Sequence, residues 1–180
     1  IVLADMNNDG ILDVVIGNDG EENQILVGIG DGTFSQDGTF SQSYFPSGDV
    51  ESTRAIALGY LDEDKVIDIV IGNVNHGNQI LLSTRDHVPY SLPDNDKTTR
   101  AIALGDLNGD SIIDIVIGND RHLNEVLYGN GDGTFQYPAS RLPGIGTSTE
   151  SVTLGDINGD GLIDIVIGNE GSDQVIMNDG

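Results

Sequence analysis

Four copies of one pattern follow one another along this chain, and that self-similarity restricts the fold more than any single motif does. Arg54-Ala-Ile-Ala-Leu-Gly-Tyr-Leu-Asp62 matches Arg100-Ala-Ile-Ala-Leu-Gly-Asp-Leu-Asn108. Both match Ser151-Val-Thr-Leu-Gly-Asp-Ile-Asn158 and the opening Ile1-Val-Leu-Ala-Asp-Met-Asn7. Each copy runs into an Ile-Asp-Ile-Val-Ile-Gly-Asn type segment, at Leu12 to Asn18, Ile67 to Asn73, Ile113 to Asn119 and Ile163 to Asn169. The aligned positions Asp5, Tyr60, Asp106 and Asp156 stand 55, 46 and 50 residues apart. The long first interval has a local cause, because Asp31-Gly-Thr-Phe-Ser-Gln36 is duplicated as Asp37-Gly-Thr-Phe-Ser-Gln42. One repeat domain over 1–180 is expected, with units at approximately 1–53, 54–99, 100–149 and an incomplete 150–180.

Within a unit the punctuation reads as β-structure. Ala101 to Leu104, Ile113 to Ile117 and Glu125 to Tyr128 are short apolar or β-branched runs, and Gly-Asn or Gly-Asp separates them. A fourth strand is expected near Thr134 to Tyr137, before Pro138, and no window supports a long amphipathic helix. Ile115-Val116-Ile117 and Ile165-Val166-Ile167 are apolar at consecutive positions, as strands covered on both faces require. In a repeat protein the cover comes from neighbouring units. The expected fold class is therefore all-β, with β-propeller blades in four repeat units of about 50 residues, belonging to a larger propeller or repeat array. A β-sandwich would allow the strand spacing but leaves the self-similarity unexplained, and a parallel β-helix uses shorter coils.

Charge narrows the function. Thirty Asp plus Glu against seven Lys plus Arg give a formal charge of −23, which argues against a nucleic-acid partner. No stretch approaches the ~18 to 20 apolar residues that span a bilayer, so no membrane insertion is expected. Neither a signal peptide nor a starting Met is present, as in mature or excised material. Cysteine is absent, so disulfides and thiolate metal sites are excluded. The acids divide into 23 Asp and 7 Glu, and tight metal loops favour the shorter carboxylate.

The acids concentrate between the first and second strands of each unit. The loops read Asp5-Met-Asn7-Asn-Asp9-Gly10-Ile11-Leu-Asp13, Asp106-Leu-Asn108-Gly-Asp110-Ser111-Ile112-Ile-Asp114 and Asp156-Ile-Asn158-Gly-Asp160-Gly161-Leu162-Ile-Asp164. Calcium takes six to eight oxygen ligands at about 2.3 to 2.6 Å. Side-chain oxygens at positions 1, 3, 5 and 9, with the backbone carbonyl of position 7 (Ile11, Val66, Ile112, Leu162), can supply such a shell from one turn. Position 6 favours Gly because the chain bends sharply there. An EF-hand shares the first six positions, but its position 12 is a bidentate Glu, where this chain has Ile16, Ile117 or Ile167. The second loop departs from the pattern: Tyr60-Leu-Asp62-Glu-Asp64-Lys65-Val66-Ile-Asp68 has Tyr at position 1 and Lys at position 6. Three strong Ca²⁺ sites are expected, with the fourth weak or absent and Lys65 partly replacing its charge. Turn-forming propensity alone would explain one such loop, but not three in register. Magnesium prefers to keep several waters, and zinc is disfavoured by an all-oxygen set. Three Ca²⁺ would bring the charge from −23 to −17.

At these loops, at the Ile-Asp-Ile-Val-Ile-Gly-Asn strands and at the Gly-Asp-Gly-Thr-Phe runs ending at Phe34 and Phe135, the sequence resembles the FG-GAP/VCBS repeat family. That family includes the calcium-binding blades of integrin α-subunit propellers, and the likeness covers essentially the whole chain. The resemblance implies a propeller often closed by seven blades, in extracellular or cell-surface proteins. Here the fourth unit stops at Asn178-Asp-Gly180 where others continue into Gly-Thr-Phe, so a fragment of a larger propeller or array is expected.

Catalysis has little to work with. His76, His87 and His122 lie in unlike loop contexts, and no His-Glu-x-x-His or Gly-x-Ser-x-Gly motif occurs. Arg54 and Arg100 recur just before the first strand and are expected to pair with acids of neighbouring units. Tyr44, Tyr90 and Tyr137, beside Phe45, Pro89 and Pro138, are expected to pack an outer strand, the functional alternative being a sugar-stacking platform. The expected function is a non-enzymatic, calcium-binding, extracellular scaffold or adhesion module whose partners are other blades or chains of a larger assembly and surface proteins or glycans. The alternative is a lectin-like propeller or a non-catalytic domain of a carbohydrate-active enzyme.

Overall fold

The computed structural model of the protein describes residues 1–35, 45, 51–83, 90–92, 97–144 and 146–180. The first unit forms β1 (Val2–Ala4), β2 (Asp13–Ile16), β3 (Gln24–Gly28) and β4 (Phe34–Ser35). The second forms β5 (Thr53–Gly59), β6 (Asp68–Asn73), β7 (Gln79–Leu81) and β8 (Tyr90–Ser91). The third forms β9 (Thr99–Gly105), β10 (Asp114–Asn119), β11 (Glu125–Leu127) and β12 (Ser140–Arg141), and the fourth forms β13 (Thr149–Gly155), β14 (Asp164–Asn169) and β15 (Gln174–Ile176). Every unit is an antiparallel meander paired in chain order, four strands wide in the first three units and three wide in the fourth. No helix occurs among the described residues. The chain is all-β, and its sheets are propeller blades.

The consecutive apolar residues divide between two seams. Ile69 and Ile71 of β6 turn toward the first unit, where they meet Met6, Val15 and Ile25. Val70, between them, turns the other way and packs with Ile115 and Ile117 of β10. Val116 in turn meets Ile165 and Ile167 of β14. Each of the three seams is thus one apolar cluster, and a side chain fully buried in it contributes about 1.5–3 kcal/mol. The glycine of each Ile-Gly-Asn segment is set by close approach across a seam: a Cβ on Gly72 would lie 2.6 Å from Thr99 Cγ2.

Buried hydrogen bonds lock the same seams. Asn23, Asn78 and Asn124 donate through Nδ2 to the hydroxyls of Thr53, Thr99 and Thr149 of the next unit, at 3.0, 2.9 and 2.9 Å. Their Oδ1 atoms accept the backbone N–H of Asn18, Asn73 and Asn119. In the fourth unit Asp173 takes this place and accepts the Asn169 N–H. Because these locks all join the starts of the first strands β5, β9 and β13, those strands run side by side in one direction, and the acidic turns that follow them emerge at one end.

The fourth strand of the third unit differs from its sequence expectation. It falls at Ser140–Arg141, beyond Pro138, pairing with Glu125 and Val126. Phe135 makes only an isolated bridge to Gly129. A two-residue strand has too few positions to show a period, and the Phe135 side chain is used for packing in the seam between units 2 and 3. The expected ion pairs form: Arg54 reaches Asp19 of the first unit at 3.7 Å, and Arg100 reaches Asp120 and, across the next seam, Glu150. Tyr90 and Tyr137 are exposed, and Phe45 is buried in the first seam. Tyr44, His87, Pro89 and the duplicated segment at 37–42 lie outside the described residues.

Candidate metal centre

The position-9 aspartates Asp13, Asp68, Asp114 and Asp164 open the second strand of their units, and all four are fully buried. One oxygen of each accepts the N–H of position 2, from Met6, Leu61, Leu107 and Ile157, at 2.8 to 2.9 Å. The other accepts an N–H from the end of the third strand (Gly28) or just past it (Ser83, Gly129 and Asn178), also at 2.8 to 2.9 Å. One carboxylate therefore ties the ends of three strands. An ionised carboxylate offers about four lone-pair sites, so each oxygen keeps acceptor capacity for a cation.

In loops 1, 3 and 4 the remaining side chains close the turn on itself. Asp106 accepts N–H bonds from Gly109 and Asp110 on one oxygen and from Ser111 on the other. Asp156 does the same with Gly159, Asp160 and Gly161, and Asp5 with Asp9 and Gly10. The position-3 amides Asn7, Asn108 and Asn158 accept from the N–H of position 5 and donate to its carboxylate, on Asp9, Asp110 and Asp160. The position-7 residues Ile11, Ile112 and Leu162 enter through their N–H groups, which donate to the position-5 carboxylates at 2.8 Å. Position 6 is left-handed in all four loops, with φ of 86° at Gly10, 63° at Lys65, 68° at Ser111 and 89° at Gly161. Lys65 and Ser111 hold that geometry against a penalty of roughly 1–2 kcal/mol.

Loop 2, expected to be the weakest, holds the tightest group of acids. Ligand-capable oxygens of Asp62, Asp64 and Asp68 lie within 4.8 Å of one another, and among the described residues no other three acids do so. The cause is composition: Asp62 stands where the other loops carry Asn, so a carboxylate replaces an amide donor beside Asp64. Asp64 accepts the Val66 N–H at 2.7 Å and the Ser83 hydroxyl at 3.0 Å. Tyr60 is exposed and closes nothing, and Lys65 makes no ion pair among the described residues.

Burial pushes the Asp68 carboxyl above its ordinary pKa against the pull of the Ser83 and Leu61 N–H groups, with Asp62 and Asp64 adding repulsion. Asp114 is raised for the same reasons, burial first. At Asp164 the Asn178 and Ile157 N–H groups outweigh burial and hold the carboxyl below its ordinary value. A buried carboxylate surrounded by others favours either a proton or a cation. The all-oxygen set of each loop fits a hard divalent ion.

Sequence reasoning missed the locking Asn–Thr pairs and the strand-tying role of position 9. The signal for the first was present, in the recurrence of Asn five residues after the Ile-Gly-Asn asparagine and of Thr before Arg54, Arg100 and Glu150. At the edge opposite the acidic turns, Arg54, Asn75, Thr98, Arg100, Asp120 and Glu150 line a polar cleft of about 470 Å³. Asp120 is held below its ordinary pKa there, by the Ser148 hydroxyl first and by Arg100 among the nearby cations.

A family model described as FG-GAP-like repeat matches residues 5–71 and 106–167, which together make up most of the chain and include all four acidic turns. Among curated proteins no match is found. Of solved structures, that of BBS1N in complex with ARL6DN, soaked with lead, superposes with a TM-score of 0.61 at 14% identity, over 99% of this chain and 56% of that one. The mercury-soaked form of the same complex gives 0.59 at 13%, over 98% and 56%. The chain thus spans a little over half the length of the structures it matches, and at such identity the likeness concerns the fold alone.

Proposed function

Since the chain belongs to the FG-GAP-like repeat family, we propose that it is a non-enzymatic propeller scaffold whose blades are tightened by calcium, working outside the cell or at its surface as an adhesion or assembly module. One observation carries the reading: every unit buries an aspartate that ties three strand ends at the base of an acidic turn, and in the second unit two further carboxylates close on it to within 4.8 Å. Folding alone would not place so many like charges together, because at short range they repel one another. The ligands proposed are Asp5, Asn7, Asp9 and Asp13, then Asp106, Asn108, Asp110 and Asp114, then Asp156, Asn158, Asp160 and Asp164. The trio Asp62, Asp64 and Asp68 forms the variant site. Extracellular modules bind Ca²⁺ with dissociation constants of about 10⁻⁴ to 10⁻³ M, and such sites fill in calcium-rich surroundings. Protein partners suit this role, and the solved neighbour BBS1N is itself in complex with another protein.

A melt with and without chelator tests the proposal. Calcium at 100 times Kd adds about 2.7 kcal/mol per site, and an unchanged melting temperature would remove the metal from the reading. A second reading, sugar binding, draws on the polar cleft at Arg54 and Arg100. Among the described residues no aromatic side chain lines that cleft to stack on a sugar ring, which favours the scaffold. Saturable binding on a glycan array would reverse the preference.

A further inference from the structure

In the first strands of units 2, 3 and 4 one residue stands out of register. Thr53 and Ala55 pair with Asn73 and Gly72, Thr99 and Ala101 with Asn119 and Gly118, and Thr149 and Ser151 with Asn169 and Gly168, so Arg54, Arg100 and Glu150 are bulged. A bulge re-aims a side chain, and all three of these line the polar cleft of about 470 Å³. The residue after each Ile-Gly-Asn segment completes the pattern, and it is Asp19, Val74, Asp120 and Glu170 in the four units. The last three hold one structural place, donating their N–H groups to the carbonyls of Ser52, Thr98 and Ser148 at 2.8 to 2.9 Å. In unit 3 the acid meets the bulged arginine of its own unit, Asp120 to Arg100 Nε at 3.2 Å, and Glu150 takes Arg100 Nη1. In unit 2 the matching neighbour of Arg54 is Val74, which carries no charge. Among the described residues Arg54 is left with one contact, to Asp19 at 3.7 Å, which is longer than a hydrogen bond.

We propose that the gap between Arg54 and Arg100 over Val74 binds a carboxylate side chain on an exposed acidic segment of a partner protein, which supplies the charge that Asp120 supplies in the next unit. A guanidinium offers five N–H donors in a rigid fork that matches a carboxylate. Val74, half-buried in the cleft wall, gives an apolar surface for the short stem of the incoming acid. Beside it Thr98 Oγ1 donates to Asn75 Oδ1 at 3.0 Å, so the Nδ2 donors of that amide remain for the ligand. The acidic turns do not forbid an anion here. They lie at the far end of seven-residue strands, roughly 20 Å away at about 3.4 Å per residue. That is more than twice the Debye length of about 8 Å at physiological salt. The cleft lies across units 2, 3 and 4, and neither the first nor the last strand of the chain lines it. The site gives the scaffold reading a partner chemistry and rests on it, but none of its residues is a proposed calcium ligand.

The test is a nuclear magnetic resonance titration of the 180-residue chain, in calcium and in chelator, with three probes. These are the peptide Gly-Ser-Glu-Ser-Gly blocked at both ends, its Gln analogue, and sodium glucuronate. Saturable shifts of the Arg54 Nε and Val74 methyl signals in both media, with the Gln analogue at least about tenfold weaker, are expected. Val74→Asp, which restores the missing acid, should abolish binding and leave the melting temperature equal or higher. Arg54→Gln, at an exposed side chain, should abolish binding with the melting temperature unchanged. Equal binding of the two peptides, no saturable shift at millimolar peptide, or binding by Val74→Asp as strong as that of the parent chain would overturn the proposal. Tighter binding of glucuronate than of the peptide would also overturn it, by giving the cleft to an acidic sugar. Peptide binding by a chain whose melting temperature ignores calcium would keep this site and remove the metal from the scaffold reading, so the two fail separately.

Discussion

Replacing Asp114 separates its work as a strand tie from any work as a metal ligand. Its side chain accepts the N–H of Leu107 at 2.8 Å and of Gly129 at 2.9 Å, both away from water. Asp114→Ala leaves both donors unpaired at about 1–3 kcal/mol each, a gross cost of about 2–6 kcal/mol. Burial already raises the pKa of this carboxyl, so removing its charge returns part of that cost, and a net loss of about 2–4 kcal/mol is expected. For a chain of this length each kcal/mol moves the melting temperature by about 2–4 °C, which gives a fall of about 4–16 °C. The measurement is a thermal and urea melt in chelator, where no ion contributes. Asp114→Asn keeps one carbonyl acceptor and should lose about half as much. Asp110→Ala, which removes an exposed turn bond to the Ile112 N–H, should cost about 1 kcal/mol or less in chelator and show its larger effect only in calcium. If Asp114→Ala melted with the parent chain in chelator, position 9 would act through the ion alone and the strand tie would be an incorrect reading.

Three further outcomes follow from the seams and the acids. Gly72→Ala sets a methyl 2.6 Å from Thr99 Cγ2 and 3.1 Å from its Cβ, and overpacking of that kind should cost about 1–3 kcal/mol in a urea melt; parity with the parent would mean the seam can part freely. Asn124→Ala strips the Asn119 N–H and the Thr149 hydroxyl of a buried partner, for a loss of about 1–3 kcal/mol, whereas Asp173→Ala at the matching exposed place should change stability by about 0.5 kcal/mol or less. The last concerns pH. Asp68 and Asp114 have folded pKa values above their unfolded ones, so in chelator their contribution is fully present below the unfolded value and is lost as pH rises through the folded value. The parent chain should therefore gain on the Asp68→Asn, Asp114→Asn double variant as pH falls from 7 toward 4. In calcium the trend should reverse, because protons compete with the ion, and an unchanged sign would count against the metal reading. Asp31 and Asp164, both lowered, act the other way, and their contribution is lost as pH falls through their folded values.

Much of the fold was legible because the repeat writes its packing into consecutive residues. Ile69, Val70 and Ile71 are apolar on both faces of a strand, and the structure shows each face meeting a different unit. The acidic turns were legible as turns, since position 6 is left-handed wherever Gly, Ser or Lys stands. The tie made by Asp114 was not, because its partner Gly129 lies fifteen residues away and nothing in local spacing announces a contact at that range. Strand β12 was misplaced for a related reason. A two-residue strand is selected by the edge it pairs with, and the aromatic residue that looked like its centre belongs to the neighbouring seam. In loop 2, sequence reading weighed the loss of the position-1 carboxylate, whereas the geometry responds to the extra one at position 3.

The parallel course of β5, β9 and β13 gives the molecule two electrically unlike ends. Acids near the strand starts, such as Asp19, Asp120 and Glu150, are matched by arginines, while those of the turns have backbone amides and one another for company. Anything that carries positive charge and approaches through dilute salt is therefore steered to one pole of the stack. Adding a divalent ion or raising ionic strength weakens that attraction at the turn end and leaves the opposite end almost as it was.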